Sequence, residues 1–141
     1  MRKFEKLNND VILPKRQTKF SAGYDFYNPK DILIKSKEKV IIQTHIRCIM
    51  EDDEFLSLHI RSSLGIKYGL MLANVTGIID KDYYGNSDNH GHILVSVINT
   101  SDEDYLLKKN ERFVQGIFQK YLTVDDDKTI NDRIGGIGST N

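Results

Sequence analysis

Asp80 is the residue around which chemistry in this chain would gather. It ends an apolar run and opens a polar one, in the stretch Gly77-Ile78-Ile79-Asp80-Lys81-Asp82-Tyr83-Tyr84-Gly85. Glycine, aspartate and tyrosine set between apolar runs read as a hairpin with polar groups at its tip. Most acids in such places are simply solvated. A carboxylate on a rigid strand end can also orient a water or take a proton from it. Tyr83, on the same hairpin, offers a flat face to a ring.

Four further regions carry suitable groups. Ser21-Ala22-Gly23-Tyr24-Asp25-Phe26 places an acid shortly after a glycine in a strand-like run. Arg61-Ser62-Ser63-Leu64-Gly65-Ile66-Lys67 gathers a guanidinium, two hydroxyls and the expected start of a helix of one or two turns, capped by Ser62 or Ser63. Charge plus free N–H groups there would make an anion cradle. The Asn74 amide, just before the central stretch, both donates and accepts and so can read a base edge. Arg112 and Gln115 share no face of a strand, yet both interrupt an apolar run. Last comes Arg133-Ile134-Gly135-Gly136-Ile137-Gly138-Ser139-Thr140-Asn141, rich in backbone N–H groups that can wrap phosphate oxygens, with Arg133 supplying charge. A frayed terminus is the commoner fate of such a tail. Taken singly, each of these regions is a weak signal, and an isolated Arg-Ser-Ser most often just meets water.

The scaffold that must position them is built of strands. Leu56, Leu58 and Ile60 alternate with Ser57, His59 and Arg61, a period of two. Lys39–Met50, Leu70–Ala73, Gly77–Asp80, Ile93–Ile98 and Arg112–Leu122 are apolar runs of strand type, separated by turn clusters at 27–31, 50–54, 86–91 and 100–104. Short strands with frequent turns predict an all-β sandwich or barrel. Thr123–Asp132 is acidic and polar and reads as a linker. The 141 residues suit one domain. Twenty basic residues balance twenty acidic ones, which argues against a broad nucleic-acid-binding face but leaves room for a local anion site. Cys48 is the sole cysteine, so no internal disulfide forms, and no Cys/His spacing suggests zinc; His90 and His92 read as loop residues. The opening MRKFEKLNND has no apolar leader, and no apolar run reaches the length of a membrane span, so the cytosol is the expected compartment.

Together and in this order, these regions resemble the homotrimeric dUTPase family, in a divergent form like that of phage or Gram-positive members. Its five motifs match Ala22–Asp25, Arg61–Gly65, Asn74–Gly85, Glu111–Gln115 and Arg133–Thr140, so the likeness spans nearly the whole chain. The resemblance implies a jelly-roll-like β-barrel with one short helix over residues 1–122, then a linker and glycine-rich lid over 123–141. It implies a homotrimer whose three sites lie at subunit interfaces and draw on all three chains. The implied reaction is dUTP plus water to dUMP plus pyrophosphate, by water attack on the α-phosphorus with Mg2+ on the triphosphate. That reaction keeps uracil out of DNA and supplies dUMP for thymidylate synthesis. In this likeness Asp80 orients and activates the water, and Gln115 helps to hold it. Arg61, Ser62 and Ser63 bind phosphates, and Asp25 reaches Mg2+ through its water shell. Asn74, with the backbone of Gly77, Ile78 and Ile79, reads uracil, and Tyr83 packs under deoxyribose. Arg133, Ser139 and Thr140 close on the γ-phosphate, with Ile137 and Gly138 in the part of the tail that covers the base.

The chain departs from the family pattern in places. Ile137 stands where an aromatic ring usually stacks on the base, and Arg133 lies one residue closer than usual to the glycine pair. Some bacterial and phage members place a ring in an insertion after the central stretch, and Asn86–His92 are extra residues there. Either His90 or His92 supplies the missing ring, or the insertion is a longer surface loop. Ile60 replaces a usual proline, and Tyr84, Asn86 and Glu111 differ from the common residues. Two other readings stay open. The dCTP deaminase branch of the same fold shares the Arg-Ser-Ser stretch but needs a glutamate past the central glycine, and residues 86–102 contain none. A dUTPase-like scaffold could instead engage a regulatory protein through the 86–92 loop. For a phage-encoded chain the compartment would be the host cytoplasm.

Overall fold

A computed structural model of the chain describes residues 1–140; Asn141, the last residue of the expected tail, lies outside the described residues. Among the described residues eleven strands form, with one α-helix and one turn of 3-10 helix. The strands are β1 (Lys3–Lys6), β2 (Tyr24–Tyr27), β3 (Ile32–Ile34), β4 (Lys39–Gln43), β5 (Ile46–Ile49), β6 (Glu54–Ile60), β7 (Leu70–Leu72), β8 (Gly77–Asp80), β9 (Leu94–Asn99), β10 (Tyr105–Leu107) and β11 (Arg112–Lys120). Helix α1 covers Ser62–Tyr68, and the 3-10 turn Lys81–Tyr83. All pairings are antiparallel: a four-stranded sheet in the order β2-β11-β6-β8, a three-stranded sheet β4-β9-β7, and the pairs β1-β5 and β10-β3. The fold is the expected all-β, jelly-roll-like type, with its strands shared among four sheets and not closed in one ring.

The period of two read from β6 sets the core. Leu56 and Leu58 point inward and are buried, with Phe26 of β2 and Val114 of β11 beside them. Facing them are Ile42 of β4, Val95 and Val97 of β9, and Leu70 and Leu72 of β7. Gly116 sits across from Leu58, and a Cβ there would press on Leu56 and Phe26, so the missing side chain lets the layers close. The opposite face of β6 is polar but not bare. Ser57 is buried, and its Oγ donates to Gln119 Oε1 at 2.8 Å and lies 3.0 Å from His59 Nε2.

Three local expectations need correction. Lys39–Met50 is two strands, because His45 adopts a left-handed backbone (φ 56°) that ends β4 and redirects the chain to pair with β1. The central stretch is not a hairpin: β8 pairs with β6, and the chain turns out of the sheet through Lys81–Tyr83. Helix α1 is where expected, but Arg61 holds the capping position, with no side-chain cap, and Ser62 and Ser63 are already helical. The helix stops at Gly69, whose left-handed φ of 66° lets its N–H reach Gly65 O. Strands β1, β3 and β10 had no clear sequence signal.

Cys48 lies in β5 within the core, and burial pushes its thiol up to about 12. The thiolate is the reactive form. At pH 8 a thiol reagent is therefore expected to leave the folded chain unlabelled and to label one thiol per chain in denaturant. Labelling of the folded chain at the rate of a free thiol would contradict this placement.

Candidate active site

Strand β8 is the outer strand of its sheet, so only one side of its backbone is paired, with β6. Its other side leaves peptide N–H and C=O groups free to meet a ligand. A cavity of about 530 Å³ opens there, between β8 and the sheet β4-β9-β7. That size suits a small-molecule site. Asn74, Gly77, Ile78, Ile79, Asp80 and Tyr83 line it. Gly77 is close against Leu58, at 3.0 Å from where a Cβ would reach its side chain, so a residue with a side chain would push β8 away from the core. Tyr83 is buried, and burial raises its phenol above the ordinary range. The hydroxyl donates to His92 O at 2.7 Å and accepts from Asn89 Nδ2 at 2.8 Å, which fixes the plane of the ring.

The tail folds back over this cavity, and Arg133, Ile137, Gly138 and Thr140 complete its lining. The Arg133 guanidinium pairs with Asp80 Oδ2 at 2.7 Å and Asp82 Oδ1 at 2.8 Å, and its side chain is only 10% exposed. It also stands 5.9 Å from the centroid of the Tyr83 ring. Ser139 is exposed; its Oγ donates to Gly135 O at 2.8 Å within the tail, and it does not line the cavity.

The remaining residues form a second cluster, on the outer face of the four-stranded sheet near the far end of β6. Gln115 of β11 lies directly between Asp25 of β2 and His59 of β6. A Cβ on Gly23 would overlap the Gln115 carboxamide, so the glycine keeps that space open. Asp25 is buried, and its Oδ2 meets Arg112 Nη1 at 3.1 Å and Arg61 Nε at 3.9 Å. Arg61 also donates from Nη1 to Arg112 O at 3.2 Å, and Ser62 and Ser63 follow it at the start of α1. Arg112 joins this group because of a bulge: the register shifts between Arg112 and Val114, which turns Arg112 to the face that simple alternation denies it. Its part in holding Asp25 was not legible from the sequence, since a bulge changes the strand's parity without changing its composition.

The two clusters do not meet within one chain. Asp80 is registered with Phe55 and Gln115 with His59, on opposite edges of β6. Four residues along the strand and two strand spacings across put their Cα atoms about 16 Å apart. One chain therefore cannot bring both side chains to one water.

Neither histidine of the insertion provides a ring to the cavity. His92 is held at the β4-β5 corner, where its ring stacks on His45 at 5.0 Å and its Nε2 accepts the His45 N–H at 2.9 Å. Its burial lowers the imidazole below its ordinary range, and the His45 N–H makes Nε2 the acceptor. His90 is exposed, with a left-handed backbone.

No group of three His, Cys, Asp or Glu side chains able to cage a metal occurs among the described residues. That donor set still fits Mg2+, which keeps several waters and binds largely through substrate phosphates and one or two carboxylates. Asp25 is the acid in the basic cluster. Its Oδ2 is engaged by the guanidiniums, while its Oδ1 makes no hydrogen bond among the described residues.

The dUTPase family model matches residues 9–140 of this chain. A deoxyuridine 5'-triphosphate nucleotidohydrolase of Lactococcus lactis is 41% identical over 135 residues, covering 94% of this chain and 90% of that protein. One from Nautilia profundicola is 33% identical over 143 residues, covering 98% and 96%. The crystal structure of a dUTPase from Streptococcus mutans matches at a TM-score of 0.79 and 39% identity, over 87% of this chain and 98% of that one.

Proposed function

We propose a mechanism, residue by residue, on one premise: this chain belongs to the dUTPase family. It hydrolyses dUTP to dUMP and pyrophosphate. The observation that carries the site reading is the cavity along the unpaired side of β8, with Asp80 and Tyr83 at its polar end. Uracil lies along β8, where Asn74 and the peptide groups of Gly77, Ile78 and Ile79 pair with its edge. Cytosine would face the wrong donors and acceptors, and each buried group left unpaired costs roughly 1–3 kcal/mol. The Tyr83 ring packs under deoxyribose and leaves no room for a 2′-hydroxyl.

Asp80 holds one water by hydrogen bond and takes its proton as the water attacks the α-phosphorus. Gln115 holds the same water from the other side, and Arg61 with Ser62 and Ser63 grips the phosphate oxygens. Phosphoryl transfer depends mainly on such positioning and charge neutralisation. The separation of Asp80 from Gln115 calls for these two groups to come from neighbouring copies, in a homotrimer with interfacial sites. Asp25 would hold Mg2+ through its waters by Oδ1, and the ion would neutralise triphosphate charge. In this reading residues 1–122 are the scaffold. Residues 123–141 are linker and lid, with Arg133, Ser139 and Thr140 closing on the γ-phosphate and Ile137 and Gly138 covering the base.

The test is pyrophosphate release, with Mg2+, from dUTP, UTP, dCTP and dTTP in parallel. Release from dUTP alone is expected. Comparable release from UTP would overturn the Tyr83 role, comparable release from dCTP the β8 pairing, and no release from any would remove the assignment altogether.

A further inference from the structure

Two residues of the loop from Asn86 to His92, Ser87 and Asp88, hydrogen-bond to the tail. Ser87 donates from both its backbone N–H and its Oγ to Ile134 O, at 3.1 and 2.7 Å. The Gly136 N–H donates to Asp88 Oδ2 at 2.7 Å. Asp88 makes no ion pair among the described residues, so its carboxylate is free for that amide.

The loop is rigid enough to serve as a fixed anchor. Asn86 is buried, and its Nδ2 donates to Tyr83 O at 2.7 Å and to Asn89 Oδ1 at 2.8 Å. Its Oδ1 accepts from the N–H groups of Asp88 and Asn89 at 3.0 and 3.1 Å. A side chain whose donors and acceptor are all used locks the loop in one conformation. On the tail side Gly135 and Gly136 are buried, although Ile134 and Ile137 on either side are exposed. A Cβ on Gly135 would lie 2.5 Å from Asp88 Oδ2 and 3.0 Å from Ser139 Cβ, so the close approach needs the glycine.

We infer that the 86–92 loop is the docking site that sets the position of the lid, with Asp88 as the positioning residue that accepts the Gly136 amide and Ser87 as its second clasp. The inference rests on the reading of residues 133–140 as a lid. The anchor is tied to the cavity on one side and to the tail on the other. Tyr83, at the cavity, hydrogen-bonds to the same loop through Asn89, and Arg133 stands three residues before the clasped Gly136. A lid fixed at Gly135–Gly136 by hydrogen bonds needs no ring at Ile137 to find its place.

The experiment uses the full chain with Asp88→Ala, Asp88→Asn and Gly135→Ala, and a truncation lacking 133–141. Asp88→Ala removes a charged acceptor and is expected to lower kcat/KM for dUTP about tenfold with little loss of melting temperature. Asp88→Asn keeps an acceptor oxygen and is expected to recover most of that loss. Gly135→Ala, which lies outside every sheet, reproduces the Asp88→Ala defect. Tryptic cleavage after Arg133 in the presence of a non-hydrolysable dUTP analogue gives an independent reading: slow in the unaltered chain and in Asp88→Asn, fast in Asp88→Ala. Unaltered kcat/KM and unaltered protection in Asp88→Ala would overturn the docking role. If the truncated chain turned over dUTP normally, the lid reading itself would fall; a dead truncation beside a normal Asp88→Ala would remove the docking role alone.

Discussion

Asp80→Asn is expected to lower kcat for dUTP by about 10²–10⁴, the range that one positioned acid or base contributes, with KM changed far less. The substitution is nearly isosteric, and residue 80 stays pinned by the β8-β6 ladder opposite Phe55. The asparagine oxygen can still accept from Arg133, which now meets Asp80 at 2.7 Å, so the tail keeps most of its hold. What disappears is the ability to take a proton from the attacking water. Steady-state pyrophosphate release, with a titration of substrate binding, separates the two effects. A loss of less than fivefold in kcat would mean that another group activates the water. A loss carried wholly by KM would make Asp80 a binding residue.

Two inactive variants are expected to rescue one another. Arg61→Ala and Asp80→Asn damage different clusters, and the clusters stand too far apart in one chain for Asp80 and Gln115 to hold one water. If each site pairs the Asp80 of one copy with the Arg61 of another, coexpressed chains form some interfaces in which both residues are intact. Random assembly of equal amounts gives about one site in four of that kind, by the symmetry of a closed ring of heterologous contacts. The mixture should then show about a quarter of normal turnover, while either variant alone shows almost none. A mixture as inactive as its parts would place both residues on one copy, and would overturn the account of the site as interfacial. Titrating one variant against the other adds a second check, because recovery should peak near equal amounts.

Legibility in the sequence followed how local each feature is. The alternation in β6 and the apolar runs of β8, β9 and β11 are properties of consecutive residues, and the strands lie where periodicity places them. The order of the chemical stretches was enough to suggest the family, because ordered motifs need no knowledge of how the strands pair. Strands β1, β3 and β10 have only three or four residues, too few to show a period, and each exists because a distant partner completes it. Arg112 was misplaced by one extra residue in a ladder, a change of parity that leaves no compositional trace. His92 was drawn toward the cavity by its ring alone, whereas a backbone N–H at the β4-β5 corner claims its nitrogen. The separation of Asp80 from Gln115 depends on register along β6, which no single stretch encodes.

The pairing of Arg133 with Asp80 and Asp82 makes the tail a resident counter-ion. With nothing bound, the carboxylate proposed to hold the water is already ion-paired to the tail. An incoming nucleotide takes the guanidinium only by offering it a better anion than two aspartates. If Arg133 closes on the γ-phosphate as proposed, a triphosphate would do so, while a nucleoside monophosphate, with no phosphate there, would not. On the proposed roles, ligand exchange would also be ion exchange: the substrate would draw Arg133 from Asp80, and hydrolysis would return it. Added salt weakens the pair in the empty protein and the grip on the triphosphate together, so the balance between them shifts less with ionic strength than either contact would alone.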